Sequence, residues 1–419
     1  MVIEGIVNRA RLTATLIGFA ALGVPLCGAA AAAAAPTIPL CPGLTVVTAI
    51  SQQDGDYESI KTIESVNDAE VRMRYSAEMK HTDMLSSGPS LLQINLPRTM
   101  LVRDLQSATN YQQVYLEHSA DTIPGTTAIG TSGAVLRALK AAGQSDFGIS
   151  VAFAGLNLSA DRSQSPNYYS SLETGSIQRE PGPASLSVLV NDVPVDLPVV
   201  RAQGDLVADK VEFLFLDDVN NPLALAFRIG IDAIKPLDPA WVQLCATISK
   251  SGQSPGTLPG GARCDRPNGG DRETLRVVKI AFRCPVPLST GAPAAAQGAL
   301  EQELASTRKA DVYSIYFSFN SDAIRAESEP TLKDIADILR RHPDWRLAVN
   351  GHTDGIGGDD SNLELSRRRA AAVTAALTTR YGIDAGRLRF AGFGKLQPRD
   401  TNDTLEGRAR NRRVELVRF

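Results

Sequence analysis

The sequence predicts an α+β protein: an exported chain with a β-rich middle domain and a C-terminal βαβαβ unit whose helices pack on a small mixed sheet. Three observations predict it. Residues 1–35 join Arg9 and Arg11 to a long uncharged run that ends in alanines before Pro36. Residues 40–284 alternate apolar and polar side chains between turn dipeptides, the period of a half-buried strand. Residues 310–419 switch between that period and the helical one.

The leading segment reads as a secretory signal, because a basic flank, an apolar stretch and a small-residue exit follow one another in that order. An uncleaved anchor and lipidation at Cys27 are the alternatives. Pro25 and three glycines interrupt the run, and Leu26 stands before Cys27 where a small residue is usual. Without Cys27 an even set remains, Cys41, Cys245, Cys264 and Cys284, with no CxxC spacing, so disulfides are expected rather than zinc. Three pairings are open; Cys41 with Cys245 and Cys264 with Cys284 is the expectation.

Within residues 36–284, Ile60 to Ser76 predicts a hairpin around Asn67-Asp68. Leu186 to Val200 turns at Asn191-Asp192, and Val211 to Ile231 at Asn220-Asn221-Pro222. A helix from Ser132 to Ala142 buries Val135, Leu136 and Leu139, starts on the Ser132 hydroxyl and stops at Gly143. Residues 251–273 read as an exposed loop, and 285–309 as a Pro/Ala linker with a short helix near Gln297 to Arg308.

The last domain, 310–419, opens with a strand at Tyr313 to Phe319. A helix from Ser328 to Arg341 follows, with Leu332, Ile335, Ala336 and Leu339 on one stripe and Pro330 in its first turn. A strand through Leu347 and Val349 runs into Gly351-His352-Thr353-Asp354. A second helix extends to about Tyr381, stopped by Gly382, and strands at Leu388 to Phe390 and Arg412 to Phe419 complete the unit.

In the second helix, Leu365, Ala372, Val373 and Ala376 share a stripe at about 100° per residue, and Arg369 falls within it while Arg367 points away. A core-facing guanidinium costs several kcal/mol unless acceptors meet it, so a carboxylate is expected close by. Asp354 is the candidate. The pair is either a structural bridge or the charged floor of a binding site.

Composition bounds the function. With 419 residues, 43% of them hydrophobic, the chain can bury a sizeable core. Its 43 Lys+Arg against 46 Asp+Glu leave a net charge of -3, without the basic excess that a nucleic-acid partner requires. At 5% aromatic it lacks the girdles of a large membrane barrel. His352 is expected to shape its loop by hydrogen bonding rather than to bind metal. Ser132 is no nucleophile, and Asp217 to Asn221 is a turn rather than a calcium loop. No cofactor fingerprint is present.

Gly351-His352-Thr353-Asp354, Asn362, Leu365-Ser366, Arg369-Ala370, Gly392-Phe393-Gly394, Glu406-Gly407-Arg408-Ala409 and Asn411 to Leu416 together resemble the OmpA-like peptidoglycan-binding domain over residues 310–419. The resemblance implies noncovalent capture of the peptidoglycan stem-peptide diaminopimelate, with Asp354 on its ammonium and Arg369 on its carboxylate. It further implies hydrogen bonds from Thr353 and Asn362 and positive potential from Arg412; the alternative for Arg412 is that the NRRV run stitches the sheet. It places the protein in the Gram-negative periplasm or at the outer membrane, as a binding protein and not an enzyme, with an unknown partner for residues 36–284. The rival readings are a wall-anchored enzyme and an outer-membrane barrel, each residing in residues 36–284. A stator-like anchor would need an acid in its membrane helix, and the run from Leu12 to Ala35 has none.

Overall fold

A computed structural model describes residues 37–51, 56–81, 90–112, 121–150, 172–206, 209–231, 272–284 and 298–419. The expectations for the leading 35 residues, for Cys245 and Cys264, for residues 251–271 of the expected loop and for the linker at 285–297 lie outside the described residues. Two sheets organise the rest.

The first is 13-stranded. Its strands are β1 (Thr45–Ile50), β2 (Tyr57–Val66), β3 (Glu70–His81), β4 (Ser90–Leu101), β5 (Asn110–Gln112), β6 (Thr126–Thr127) and β7 (Gln144–Ser150). The remainder are β8 (Leu172–Arg179), β9 (Ala184–Val190), β10 (Val193–Leu206), β11 (Asp209–Leu216), β12 (Ala224–Ile229) and β13 (Arg272–Ala281). Two helices, α1 (Val102–Ser107) and α2 (Gly133–Ala142), interrupt them. The order runs β4-β3-β2-β1-β13-β12-β11-β10-β8-β7-β5-β6, and β9 pairs with both β10 and β13, closing a ring from β9 to β13.

Turn chemistry sets this meander. Asn67 accepts the Ala69 and Glu70 amides between β2 and β3. Asn191 and Asp192, at φ 50° and 67°, make the left-handed turn that suits the β9-β10 hairpin. The Ser132 hydroxyl accepts from the Val135 amide, and Gly143 ends α2 at φ 76°. Beyond the β1-β13 ladder, where Thr45 faces Ala281, the two chains continue side by side and Cys41 bonds to Cys284. This replaces the expected partners Cys245 and Cys264: the ladder register, invisible in cysteine spacing, decides the pair.

Lys61, 4% exposed, donates to the Ala128 carbonyl at 2.8 Å and sits 5.6 Å from the Tyr111 ring centroid, and no described carboxylate pairs with it. Burial pulls its pKa down to about 7.

The second sheet holds β14 (Lys309–Val312), β15 (Leu347–Gly351), β16 (Leu388–Gly392) and β17 (Val414–Arg418) in the order β14-β17-β15-β16. Only β15 and β16 run parallel. Around it lie α3 (Ala299–Ser306), α4 (Glu329–Arg341), α5 (Asp359–Thr379) and α6 (Leu405–Asn411). The stripe Leu332, Ile335, Ala336 and Leu339 of α4 is fully buried with Leu347, Val349, Val373, Leu377 and Leu416.

Two expectations change here. The first strand is Lys309–Val312, not Tyr313 to Phe319. The Tyr313 amide and Ser314 hydroxyl donate to Asp192, and the Tyr316 amide to the Ser328 hydroxyl, so this segment finds its acceptors off the ladder. The buried stripe of α5 is Asn362, Ser366, Ala370, Val373, Ala376 and Leu377, which leaves Leu365 and Arg369 half-buried at its edge. The small polar Asn362 and Ser366 pack where an apolar side chain was expected, because α5 lies tight on two facing glycines. A Cβ on Gly351 would stand 2.1 Å from the Ser366 carbonyl oxygen, and one on Gly392 2.4 Å from the Arg367 nitrogen.

The two sheets meet. Val47, Ala49, Ile60 and Val278 of the first bury Tyr316, Leu405 and Ala409 of the second region. Ion pairs Arg408 with Asp56, Arg276 with Glu406 and Arg412 with Glu58 ring this contact.

Candidate functional site

The site lies where β15, α5 and the turn after α6 converge. Past Gly351 the chain leaves the sheet, with the His352 amide donating to the Arg413 carbonyl and the Thr353 amide to the Gly394 carbonyl. Gly394 is itself held by the Ser366 hydroxyl, which accepts its amide at 2.8 Å. These bonds explain why glycine, serine and asparagine recur through the motif: they tie three segments together at short range.

Asp354, 9% exposed, is fixed twice. Its Oδ1 accepts the Ile356 amide at 3.0 Å, and Arg412 Nη1 donates to Oδ2 at 2.6 Å. The expected partner Arg369 does not pair with it. Arg412 reaches it first because β17 lies beside β15, which swings the turn after α6 over the end of β15. Arg412 itself ends α6 and precedes β17 rather than lying in the last strand. The sheet-stitching arginine is its neighbour Arg413, whose Nε donates to Asp311 at 3.0 Å.

Arg369 approaches from the other side. Its Nε donates to the Ser321 carbonyl at 2.9 Å and its guanidinium carbon stands 4.9 Å from the Phe317 ring centroid. Among the described residues no carboxylate pairs with it. Burial first, and then repulsion from Arg412, lowers its pKa to about 10, against the partial relief of Asp354, Glu58 and Asp322. Arg412 shifts the opposite way: burial would lower it, but Glu58 and Asp354 together hold its charge firmly. Glu58 comes from β2; burial would raise its carboxyl, and Arg412 with Lys279 overrides that and holds it at about 2.

Thr353 Oγ1 is buried without a hydrogen-bond partner among the described residues. Asn362 spends its amide on the Ile356 carbonyl at 3.0 Å, closing the glycine-rich turn between Asp354 and α5. His352 corrects an expectation, since neither ring nitrogen finds a partner among the described residues and the ring instead stacks on Phe393 with centroids 5.3 Å apart. Burial, chiefly, lowers its pKa to about 4, so it packs as a neutral ring. Sequence reasoning missed Glu58, Phe317 and the Ser318 to Ser321 turn. No local signal could have found Glu58, which arrives from the other sheet.

Chemically the site offers one buried acid and one arginine that has no carboxylate partner among the described residues, with a hydroxyl next to the acid that has no partner among them either. Such a pairing suits a ligand that carries both charges.

Residues 316–412 match the OmpA family, which makes the C-terminal region an OmpA-family domain. The chain is 41% identical over 101 residues to outer membrane porin F of Pseudomonas aeruginosa, 24% of this chain and 29% of that protein. It is 40% identical over 103 residues to the probable lipoprotein YiaD of Escherichia coli, 25% of this chain and 47% of that one. It is 42% identical over 86 residues to the peptidoglycan-binding protein ArfA of Mycobacterium bovis, 20% of this chain and 26% of that one. The chain thus spans less than half the length of each of these relatives.

Proposed function

We propose that the C-terminal region binds peptidoglycan noncovalently by gripping the diaminopimelate of the stem peptide, and that the chain is an exported envelope protein of the periplasm or outer membrane. The observation that carries the reading is Arg369, a half-buried guanidinium with no carboxylate partner among the described residues, within the electrostatic reach of the acid Asp354. The free end of diaminopimelate is a zwitterion. Its carboxylate would meet Arg369, whose planar fork can donate to both oxygens, and its ammonium would meet Asp354. Thr353 would add a hydroxyl, and Asn362 serves by holding the turn at Ile356. The relative named a peptidoglycan-binding protein supports the ligand class. Capture of this kind needs no bond to be made or broken, so the region acts as an anchor and not as an enzyme.

The test is co-sedimentation of the full chain with purified sacculi. The wild type is expected to pellet, and Asp354→Asn, which keeps the shape and removes the charge, is expected to lose about tenfold or more in affinity. Pelleting of Asp354→Asn at the wild-type level would refute the ammonium role.

A further inference from the structure

Both arginines of the site are held through acids that lie outside the OmpA-family region. Glu58 on β2 accepts from Arg412 Nη2 at 2.5 Å. Glu78 on β3 accepts from the Ser318 hydroxyl at 3.0 Å and the Phe319 amide at 2.7 Å. Ser318 begins the turn whose carbonyls receive Arg369. In the β2-β3 ladder Ser59 faces Ala77, and Glu58 and Glu78 stand one residue beyond that pair on their strands.

The geometry around Arg412 shows what Glu58 does. The guanidinium is split, one arm on Asp354 at 2.6 Å and the other on Glu58 at 2.5 Å, with Lys279 3.7 Å behind that acid. Arginine readily turns both arms onto one carboxylate. Without Glu58 it would do so on Asp354 and occupy the lone pairs that an incoming ammonium needs. With Glu58 present, Asp354 accepts one arginine N–H and one amide N–H, which leaves it acceptor capacity.

We infer that Glu58 and Glu78 are positioning residues of the peptidoglycan site: Glu58 draws Arg412 partly away from Asp354, and Glu78 fixes the turn that holds Arg369 over Phe317. The inference rests on the roles given above to Asp354 and Arg369. The β-rich region is then part of the receptor and not a passenger on a wall anchor.

Co-sedimentation of the full chain with purified sacculi tests it. Glu58→Gln is expected to bind about tenfold more weakly than wild type, and Glu78→Gln about threefold. The discriminating comparison uses Arg412→Gln. If Glu58 acts by restraining Arg412, adding Glu58→Gln to Arg412→Gln brings no further loss, whereas a role confined to docking the sheets would lower binding in both backgrounds. Near-ultraviolet circular dichroism checks that each variant is folded. Should Glu58→Gln fail to fold, Glu58→Asp keeps the charge but shortens the reach, and about a threefold loss is expected from it. Wild-type or tighter binding by the Glu58 variant, or an additive loss in the double variant, overturns the inference. Retained binding by Asp354→Asn and Arg369→Ala would instead overturn the reading of the site itself.

Discussion

Arg369→Ala is expected to reduce sacculus binding by about 100-fold or more, with unfolding temperature changed by only a few degrees. Two charge-assisted hydrogen bonds to a ligand carboxylate contribute about 1.5–3 kcal/mol each, and every 1.4 kcal/mol is roughly tenfold in affinity. Among the described residues, by contrast, the guanidinium donates to backbone carbonyls of the Ser318 to Ser321 turn and stacks on Phe317. It sits at the edge of the α5 stripe and carries a desolvation penalty, so its removal relieves part of what it takes away. Arg369→Lys is expected to lie between, because an ammonium keeps the charge and loses the fork. A tenfold loss or less from Arg369→Ala, measured by titrating sacculi against labelled chain, would remove the carboxylate role.

Lys61→Met is expected to stabilise the chain by a few kcal/mol. The folded pKa of about 7 against the free value of 10.5 means that folding works against protonation of this amine. Above about pH 10.5 neither state is protonated and no penalty exists. As pH falls towards 7 the unfolded chain takes up the proton while the folded chain resists, so the penalty grows, reaching about 5 kcal/mol and staying constant below. Wild-type stability contributed by this residue therefore rises with pH from about 7 to 10.5, and Lys61→Met should flatten that rise. Denaturant titrations of both proteins at pH 7 and pH 9.5 check it, and equal slopes against pH would show that Lys61 is not the titrating group.

Much of the second sheet was legible because its cues are local. The α4 stripe, the Gly382 stop and the strand at Leu347 follow from spacing alone. The hairpins at Asn67 and Asn191-Asp192 likewise follow from turn chemistry. The contacts of the candidate residues were not legible. Arg369 stood out as a cation near a buried stripe, yet the stripe begins one residue away, on Asn362 and Ser366, whose polarity disguised their burial. Asp354 was assigned to Arg369 because they are close in sequence. The strand order that places β17 beside β15 gave it to Arg412 instead. Glu58 and the Cys41 to Cys284 bond both depend on contacts more than 240 residues apart in sequence, which no periodicity encodes. The helix Leu405–Asn411 was hidden in a run of charge whose arginines bond outward, to Asp56, Asp400 and Glu58.

The most direct measurement compares two soluble stem peptides that differ only at the third residue, diaminopimelate in one and lysine in the other, titrated calorimetrically into the full chain. Lysine supplies the ammonium but lacks the second carboxylate. Saturable binding of the diaminopimelate peptide, with the lysine peptide at least about 100-fold weaker, is the result predicted by Arg369, which has no carboxylate partner among the described residues, acting together with Asp354. Equal affinity for the two peptides would contradict it.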